Sequence, residues 1–433
     1  MEIILVEKLI KDVTSKENVG RKIVLNGFVN SVRKGKNNVF VMLRDPSGVI
    51  QCVSHAGETT FTEANRLTRE SSVRVEGVLK EDRRAEGGYE ISIENISVYG
   101  IADSFPIKKG HKKVFLFDNR HLWFRSRRVT AIMKVRSTVF KSIHEFFDDG
   151  GFYEIQSPSF VGGSVEGGST LFEMDYFEKK AYLSQSWQLY AEAMVDSLWK
   201  IYTIAPSFRA EKSKTWRHLT EFWHAEAEMA FTDLDGIMDI EERLIKHVVK
   251  RALENNSAEL KLLGRETGPL HKTVETPFPR MRYEDIIDLA NKNGLKLEYG
   301  ADLGADEERA ITSKLEVPVF SMRYPIKLKP FYHKPDPSDP THVLCNDLLA
   351  PEGYGEIVGG GQRVDDKETL LRRLREEGLD EKNYGWYVDL RRYGAIPHSG
   401  FGLGVDRLVM WICKMPHIMY AVPFPRTPRR LTP

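Results

Sequence analysis

The stretch from Pro206 to Phe231, PSFRAEKSKTWRHLTEFWHAEAEMAF, decides how the chain is read. Its two ends have the composition of strands. Ile201 to Phe208 is mostly apolar, and from Leu219 to Phe231 the acids Glu221, Glu226 and Glu228 lie among Phe222, Trp223, Ala225 and Ala227. Between them, Lys212 to His218 is polar and basic. Two strands joined by a long basic loop predict a hairpin able to reach over a polyanion. Arg209, with Glu211 beside it, stands at the root of the loop, and Arg217 and His218 stand near its far end. The cationic groups among them are donors for phosphate oxygens. Phe222 offers a flat face to a nucleobase. Charge alone does not separate this from an ordinary solvated hairpin, because loops are commonly polar.

The rest of the chain sets the frame. Its 433 residues suffice for two domains with sizeable cores. A net charge of +1 excludes global basicity as the basis of nucleic-acid binding, so any such contact must be local. Cys52, Cys345 and Cys413 are far apart and odd in number, which argues against a disulfide framework and fits a reducing compartment. The N-terminus carries Glu2, Glu7 and Lys8 instead of a signal-peptide apolar run. The best spanning candidate, Leu408 to Phe424, is broken by Lys414 and Pro416. A cytoplasmic protein without a membrane span is expected.

Residues 1–103 predict a small β domain with strands at Lys22 to Val32, Asn38 to Leu43, Val49 to Ser54, Ser72 to Leu79 and Glu90 to Tyr99. A helix between the third and fourth, over Glu58 to Glu70, gives the order of a five-stranded OB-fold barrel, a fold that binds oligonucleotides. Phe40 is either a core aromatic of an alternating strand or a stacking platform. Residues 104–128, with Lys108, Lys109, Lys112 and Lys113, read as a basic hinge. From 129 to 433 an α+β domain is expected. An amphipathic helix fits Arg127 to Asp149, followed by a strand over Phe152 to Ser157. Gly162 to Phe172 is a glycine-rich loop with one acid, Glu166. A helix fits Leu234 to Asn255, residues 256 to about 315 suggest no chemistry, and Lys327 to Phe331 reads as a strand. Asp347 and Glu356 flank a Gly-rich turn before Arg363. Two carboxylates beside a triphosphate suit Mg²⁺, although spacing alone equally describes two surface acids. Gly400 to Trp411 is a glycine-rich strand running into a helix, with Arg407 in its first turn.

In order, Phe-Arg-Ala-Glu, the basic loop and Arg-His-Leu-Thr-Glu-Phe resemble motif 2 of the class II aminoacyl-tRNA synthetases, in the subgroup that charges Asp, Asn and Lys. The resemblance implies that Arg209 holds the ATP α-phosphate and the amino acid's carboxyl group. It implies that Glu211, Arg217 and His218 contact ATP and that Phe222 stacks on adenine. The helix and strand before Pro158 resemble motif 1, which implies a homodimer built through them. The stretch GFGLGVDR ending at Arg407 resembles motif 3, whose arginine binds the γ-phosphate; Asp406 stands where many relatives carry Glu. By the same resemblance Asp347 and Glu356 hold ATP-bound magnesium, and Glu166 closes over the α-ammonium. Ser186 and Gln188 touch the amino acid, Arg363 reaches its side chain, and Trp187 departs from the small residue or proline expected there. VFVMLRDPSGVIQ resembles the anticodon-binding core, with Phe40 stacking an anticodon base and Gln51 hydrogen-bonding it.

All three motifs follow an OB domain, so the implied architecture is an OB-fold barrel plus a class II catalytic domain with an antiparallel sheet flanked by helices. The implied reaction is activation of asparagine by ATP and its transfer to tRNA(Asn). Aspartate-charging relatives carry a Lys three residues after the pocket Gln and a shorter Asp at the acid after the stacking Phe. Here those positions are Ala191 and Glu226, and both disfavour a carboxylate ligand. Arg363 is expected to donate to the amide oxygen of asparagine and Glu226 to accept from its nitrogen; the α-ammonium is the other partner open to Glu226. Two alternatives remain. One is an aspartate-charging enzyme, including a non-discriminating one. The other is a paralogue acting as an asparagine synthetase or RNA-binding regulator, although this chain keeps Phe40, Gln51, Arg209 and Arg407.

Overall fold

The structure, a computed structural model, describes residues 9–163, 170–212 and 215–433. Alternating apolar residues in the N-terminal part give five strands, Lys22–Lys34, Asn38–Arg44, Val49–His55, Ser72–Glu81 and Tyr89–Gly100. These close into a barrel in the order first, second, third, fifth, fourth, with the helix Thr60–Arg66 after the third. This is the expected OB-fold. On the second strand Val39, Val41 and Leu43 fill the barrel, while Asn38, Phe40, Met42 and Arg44 alternate on its outer face. Phe40 is therefore not a core aromatic.

The chain packs as two units, residues 1–123 and 124–433. The segment read as a hinge is helical in part, at Lys113–Asp118 and Arg120–Trp123. Its aromatic residues explain this: buried Arg120 sits 5.5 Å from the Phe117 ring centroid and 5.0 Å from that of Trp123.

The second unit is built on an eight-stranded sheet. From one edge it runs Arg280–Arg282, Val319–Met322, Cys345–Ala350, Gly355–Gln362, His398–Gly404, Glu221–Ala230, Lys200–Phe208 and Tyr153–Glu154. The six central strands are antiparallel, and a short parallel strand closes each edge. The helices Arg127–Asp149 and Leu234–Asn255 pack on each other, the second also against the central strands. Asp233 caps the latter by accepting the Gly236 N–H at 2.9 Å.

Two expected strands differ. Phe152 to Ser157 pairs only through Tyr153 and Glu154, just before Pro158. Lys327 to Phe331 is not a strand: Ile326–Leu328 forms a 3₁₀ turn. Pro325 and Pro330 bracket it, and neither can donate to a ladder. All three cysteines are buried and free. Among the described residues no helix is long and apolar enough to cross a membrane.

Candidate active site

The strand Glu221–Ala230 organises the site. Its period of two sends Trp223, Ala225, Ala227 and Met229 to one face, where Trp223 meets Phe140 edge-on at 5.5 Å. Phe222, His224, Glu226 and Glu228 share the other face, at steps of about 7 Å. They line two adjoining cavities. The larger, about 1650 Å³, includes Ser186, Gln188, Glu226, Glu228, Asp347 and Arg363 in its walls. The smaller includes Glu211, Arg217, His218, Phe222 and Arg407. Arg209, His224 and Glu356 border both.

At the smaller cavity, the Arg209 guanidinium lies 5.5 Å from the Phe222 ring centroid. Arg407 Nη1 donates to the Glu356 carbonyl and to its carboxylate, each at 3.0 Å. His218 holds Thr215 through Nδ1, and its Nε2 lies 3.4 Å from Arg407 Nη2. Burial, with Arg407 and Arg217 beside it, pushes the imidazole down to about 4, so it stays neutral. Arg217 is paired through both terminal nitrogens with buried Glu308. Asp406 accepts the Trp223 N–H at 2.9 Å and a contact from Arg136, which also donates to the Ala421 carbonyl. The shorter acid thus joins the motif 3 helix to the helix Arg127–Asp149 and to the central strand.

Asp347 and Glu356 come from neighbouring strands. A Cβ built on Gly359 would lie 3.3 Å from Glu356 Oε1 and 3.5 Å from Asp347 Oδ1, so both carboxylates reach the space over this glycine. Lys329 Nζ donates to both oxygens of Asp347, at 2.8 and 2.7 Å. Burial pushes the Asp347 carboxyl up against the pull of Lys329. Glu356 is only half-buried, and Arg407, Arg217 and Lys329 hold it below the usual carboxylate range. Two convergent carboxylates on the wall of the larger cavity fit the oxygen donor set of Mg²⁺.

In the larger cavity, Glu226 accepts the Ser186 hydroxyl and, at 3.0 Å, the Trp187 N–H. Trp187 is buried with Ala191, Val195 and Ile201, so the unexpected side chain is absorbed by apolar packing. Gln188 donates to Glu192 at 3.0 Å. Glu192 in turn accepts from Tyr387 at 2.7 Å and from Arg391, and lies 3.0 Å from His398 Nε2. Arg363 holds Glu228 at 2.6 and 3.1 Å. A Cβ on Gly400 would fall 1.4 Å from Glu228 Oε2, so only glycine lets this pair form. Glu166 lies outside the described residues.

Sequence reasoning missed His224, Glu192, Glu308 and Lys329. Alternation with Phe222 and Glu226 was the available signal for His224. Burial, with Arg209 and Arg407 nearby, pushes its imidazole down to about 3, leaving a neutral ring where the cavities meet. Glu308 and Lys329 are partners from other segments and carry no local pattern, and Glu192, one turn after Gln188, is tied to the site by the distant Tyr387, Arg391 and His398.

In the barrel, Arg33 lies 5.1 Å over the Phe40 ring and donates to Gln51 at 3.2 Å, and Gln51 donates to Glu90 at 3.0 Å. An outward aromatic beside an amide and a cation has the geometry that a base-stacking platform requires. Phe40→Ala is expected to weaken tRNA binding by about 1–3 kcal/mol and leave the melting temperature unchanged. Filter binding and thermal denaturation test this; a melted barrel or unaltered tRNA affinity would reject it.

A family model described as tRNA synthetases class II (D, K and N) matches residues 112–428, and one described as OB-fold nucleic acid binding domain matches residues 23–99. The chain is 52% identical to an asparagine–tRNA ligase of Thermoplasma acidophilum, over 98% of this chain and 99% of that protein. It is 48% identical to that of Pyrococcus horikoshii, over 99% and 100%. The P. horikoshii asparaginyl-tRNA synthetase complexed with asparaginyl-adenylate superposes with a TM-score of 0.96 at 47% identity, covering 99% of this chain and all of that one. With its site arranged along the motif 2 strand, and with matches of this length, the chain belongs to the class II (D, K and N) tRNA synthetases.

Proposed function

We infer that the chain activates asparagine with ATP, forming asparaginyl-adenylate and pyrophosphate, and transfers the asparaginyl group to tRNA(Asn). The observation that carries this reading is the meeting of the two cavities at Arg209. There the α-carboxylate of an amino acid in the larger cavity faces the α-phosphate of a nucleotide stacked on Phe222. The carboxylate is already the nucleophile at neutral pH, so activation needs no general base. Arg209 orients the two anions and stabilises charge on the α-phosphate during in-line attack, while Arg407 holds the γ-phosphate of the departing pyrophosphate. Asp347 and Glu356 would hold Mg²⁺, which supplies further positive charge to the phosphates when bound. Ser186, Gln188 and Glu226 surround the amino acid, and Arg363 keeps three of its five N–H donors beyond the two used on Glu228. Ala191 is fully buried in an apolar cluster, so no cation is available there for an aspartate carboxylate.

ATP–pyrophosphate exchange with each amino acid, followed by charging of tRNA transcripts, tests the reading. Exchange should depend on asparagine, and Arg209→Ala should lower it at least ~100-fold, the effect of removing one oxyanion donor. Exchange that prefers aspartate, or that survives in folded Arg209→Ala, would overturn it. A homodimer is part of the same proposal. Tyr153, Phe160, Tyr176 and Phe177 are exposed aromatics on the segments after the motif 1 helix, and sedimentation at micromolar concentration should give twice the chain mass of 49.7 kDa. Three free buried thiols support a cytoplasmic location, which cell fractionation tests.

A further inference from the structure

The segment from 256 to 315 lies outside the three motifs, yet its helix Ala305–Thr312 reaches the nucleotide site. Glu308, on this helix, is 5% exposed. Its Oε1 accepts from Arg217 Nη2 at 2.7 Å, and its Oε2 accepts from Arg217 Nη1 and, at 2.6 Å, from the backbone N–H of Glu356. One carboxylate thus holds a cation of the motif 2 loop and the peptide of an acid assigned to the metal. The neighbouring residue also reaches the motif 2 loop. The Arg309 guanidinium lies 5.2 Å over the ring of Trp216, which precedes Arg217. One turn later, Thr312 Oγ1 accepts the Gly355 N–H at 3.2 Å. Gly355 has φ +74°, and a Cβ there would sit 2.6 Å from Glu308 Oε2 and 2.7 Å from Arg217 Nη1. The backbone leaves room for this pair and for little else.

We propose that Glu308 is a positioning residue of the ATP site, locking the plane of the Arg217 guanidinium and fixing it relative to Glu356. This rests on the reading that the smaller cavity takes ATP. Arg217 lines that cavity. A guanidinium gripped through both terminal nitrogens keeps a second hydrogen on each that the carboxylate does not use and that can donate to a phosphate. An unrestrained arginine would have to be ordered by ATP itself, which weakens binding.

The test compares wild type with Glu308→Gln, which keeps shape and removes charge. Calorimetry with Mg·ATP gives nucleotide affinity directly, and ATP–pyrophosphate exchange gives KM for ATP and for the amino acid separately. Loss of charge-assisted hydrogen bonds predicts weakening for ATP by about 10-fold or more, with the amino-acid KM changed less than about twofold. Arg217→Lys should have a similar effect, and the double variant should be no worse than the poorer single variant, because Glu308 acts through Arg217. Unchanged ATP affinity, additive effects, or equal rises in both KM values with a lowered melting temperature would each overturn the proposal. If Glu308→Gln does not fold, Glu308→Asp carries the same selective expectation, being charged but one methylene too short. Wild type that binds Mg·ATP without asparagine-dependent exchange would overturn the asparagine reading while leaving the Glu308 comparison intact. Wild type that does not bind Mg·ATP would overturn both.

Discussion

Glu226→Gln is expected to collapse the preference for asparagine over aspartate. The two amino acids have nearly the same shape, so the pocket must read charge and hydrogen-bond polarity. Glu226 already accepts the Ser186 hydroxyl and the Trp187 N–H, both donors suited to an anion. A carboxylate has acceptor capacity beyond two bonds, and an amide N–H₂ of the substrate can use it. Aspartate would instead press a second carboxylate against Glu226 with no proton between them. A site built this way rejects such an analogue by about 10⁴-fold without editing. Glutamine removes the repulsion while keeping most of the shape, so the ratio of kcat/KM values should fall much further than asparagine turnover itself. Exchange kinetics with both amino acids decide this. A variant that keeps full selectivity would instead place Glu226 on the α-ammonium.

Arg363→Leu is expected to reduce stability by about 3–5 kcal/mol, as well as eliminating asparagine activation, because it leaves Glu228 buried without its partner. Both oxygens of Glu228 are directed at Arg363, and the acid is only 1% exposed. The isolated acid would resist ionisation by taking up a proton, which gives the defect a pH signature. At pH values below the ordinary carboxylate range Glu228 is protonated in both folded and unfolded chains, and the deficit is small. As pH rises above about 4.3 the unfolded chain ionises while the folded one stays protonated, so the deficit grows through pH 5 and beyond until the folded acid also ionises. Adding Glu228→Gln should restore much of the lost stability without restoring activity. Thermal melts between pH 5 and 8 measure this, and a deficit that ignores pH would show that Glu228 finds another cation.

What the sequence disclosed follows from distance along the chain. The helix Leu234–Asn255 was legible to the residue because its apolar stripe has a 3.6 period and Asp233 stands at its cap. The barrel strands were legible because half of each faces a core. The arginines proposed to bind the nucleotide were legible through motif order, and the structure lines the smaller cavity with them. The partner of Arg217 was not: Glu308 is 91 residues away. Nor was the contact of Glu192 with His398, 206 residues apart. No period or spacing encodes such a pair, since it exists only once the sheet and its insertions are folded. The misread strand at Lys327 to Phe331 has a local cause. Its alternation is real, but two prolines remove the donors that a sheet would need, and the segment instead delivers Lys329 to Asp347.

On the proposed reading, the strand Glu221–Ala230 would carry adenine contact, reaction centre and side-chain recognition on one pleated face, in linear order. It therefore behaves like a reading frame. Inserting or deleting a single residue within it would swap the two faces, turning Trp223 and Ala225 toward the substrates and burying the acids behind the sheet. Replacing one ligand-facing residue disturbs one contact and leaves the others in phase. Enzymes descended from such a chain can change the amino acid they accept by point substitution at one rung, whereas any change in the strand's length is an all-or-nothing event.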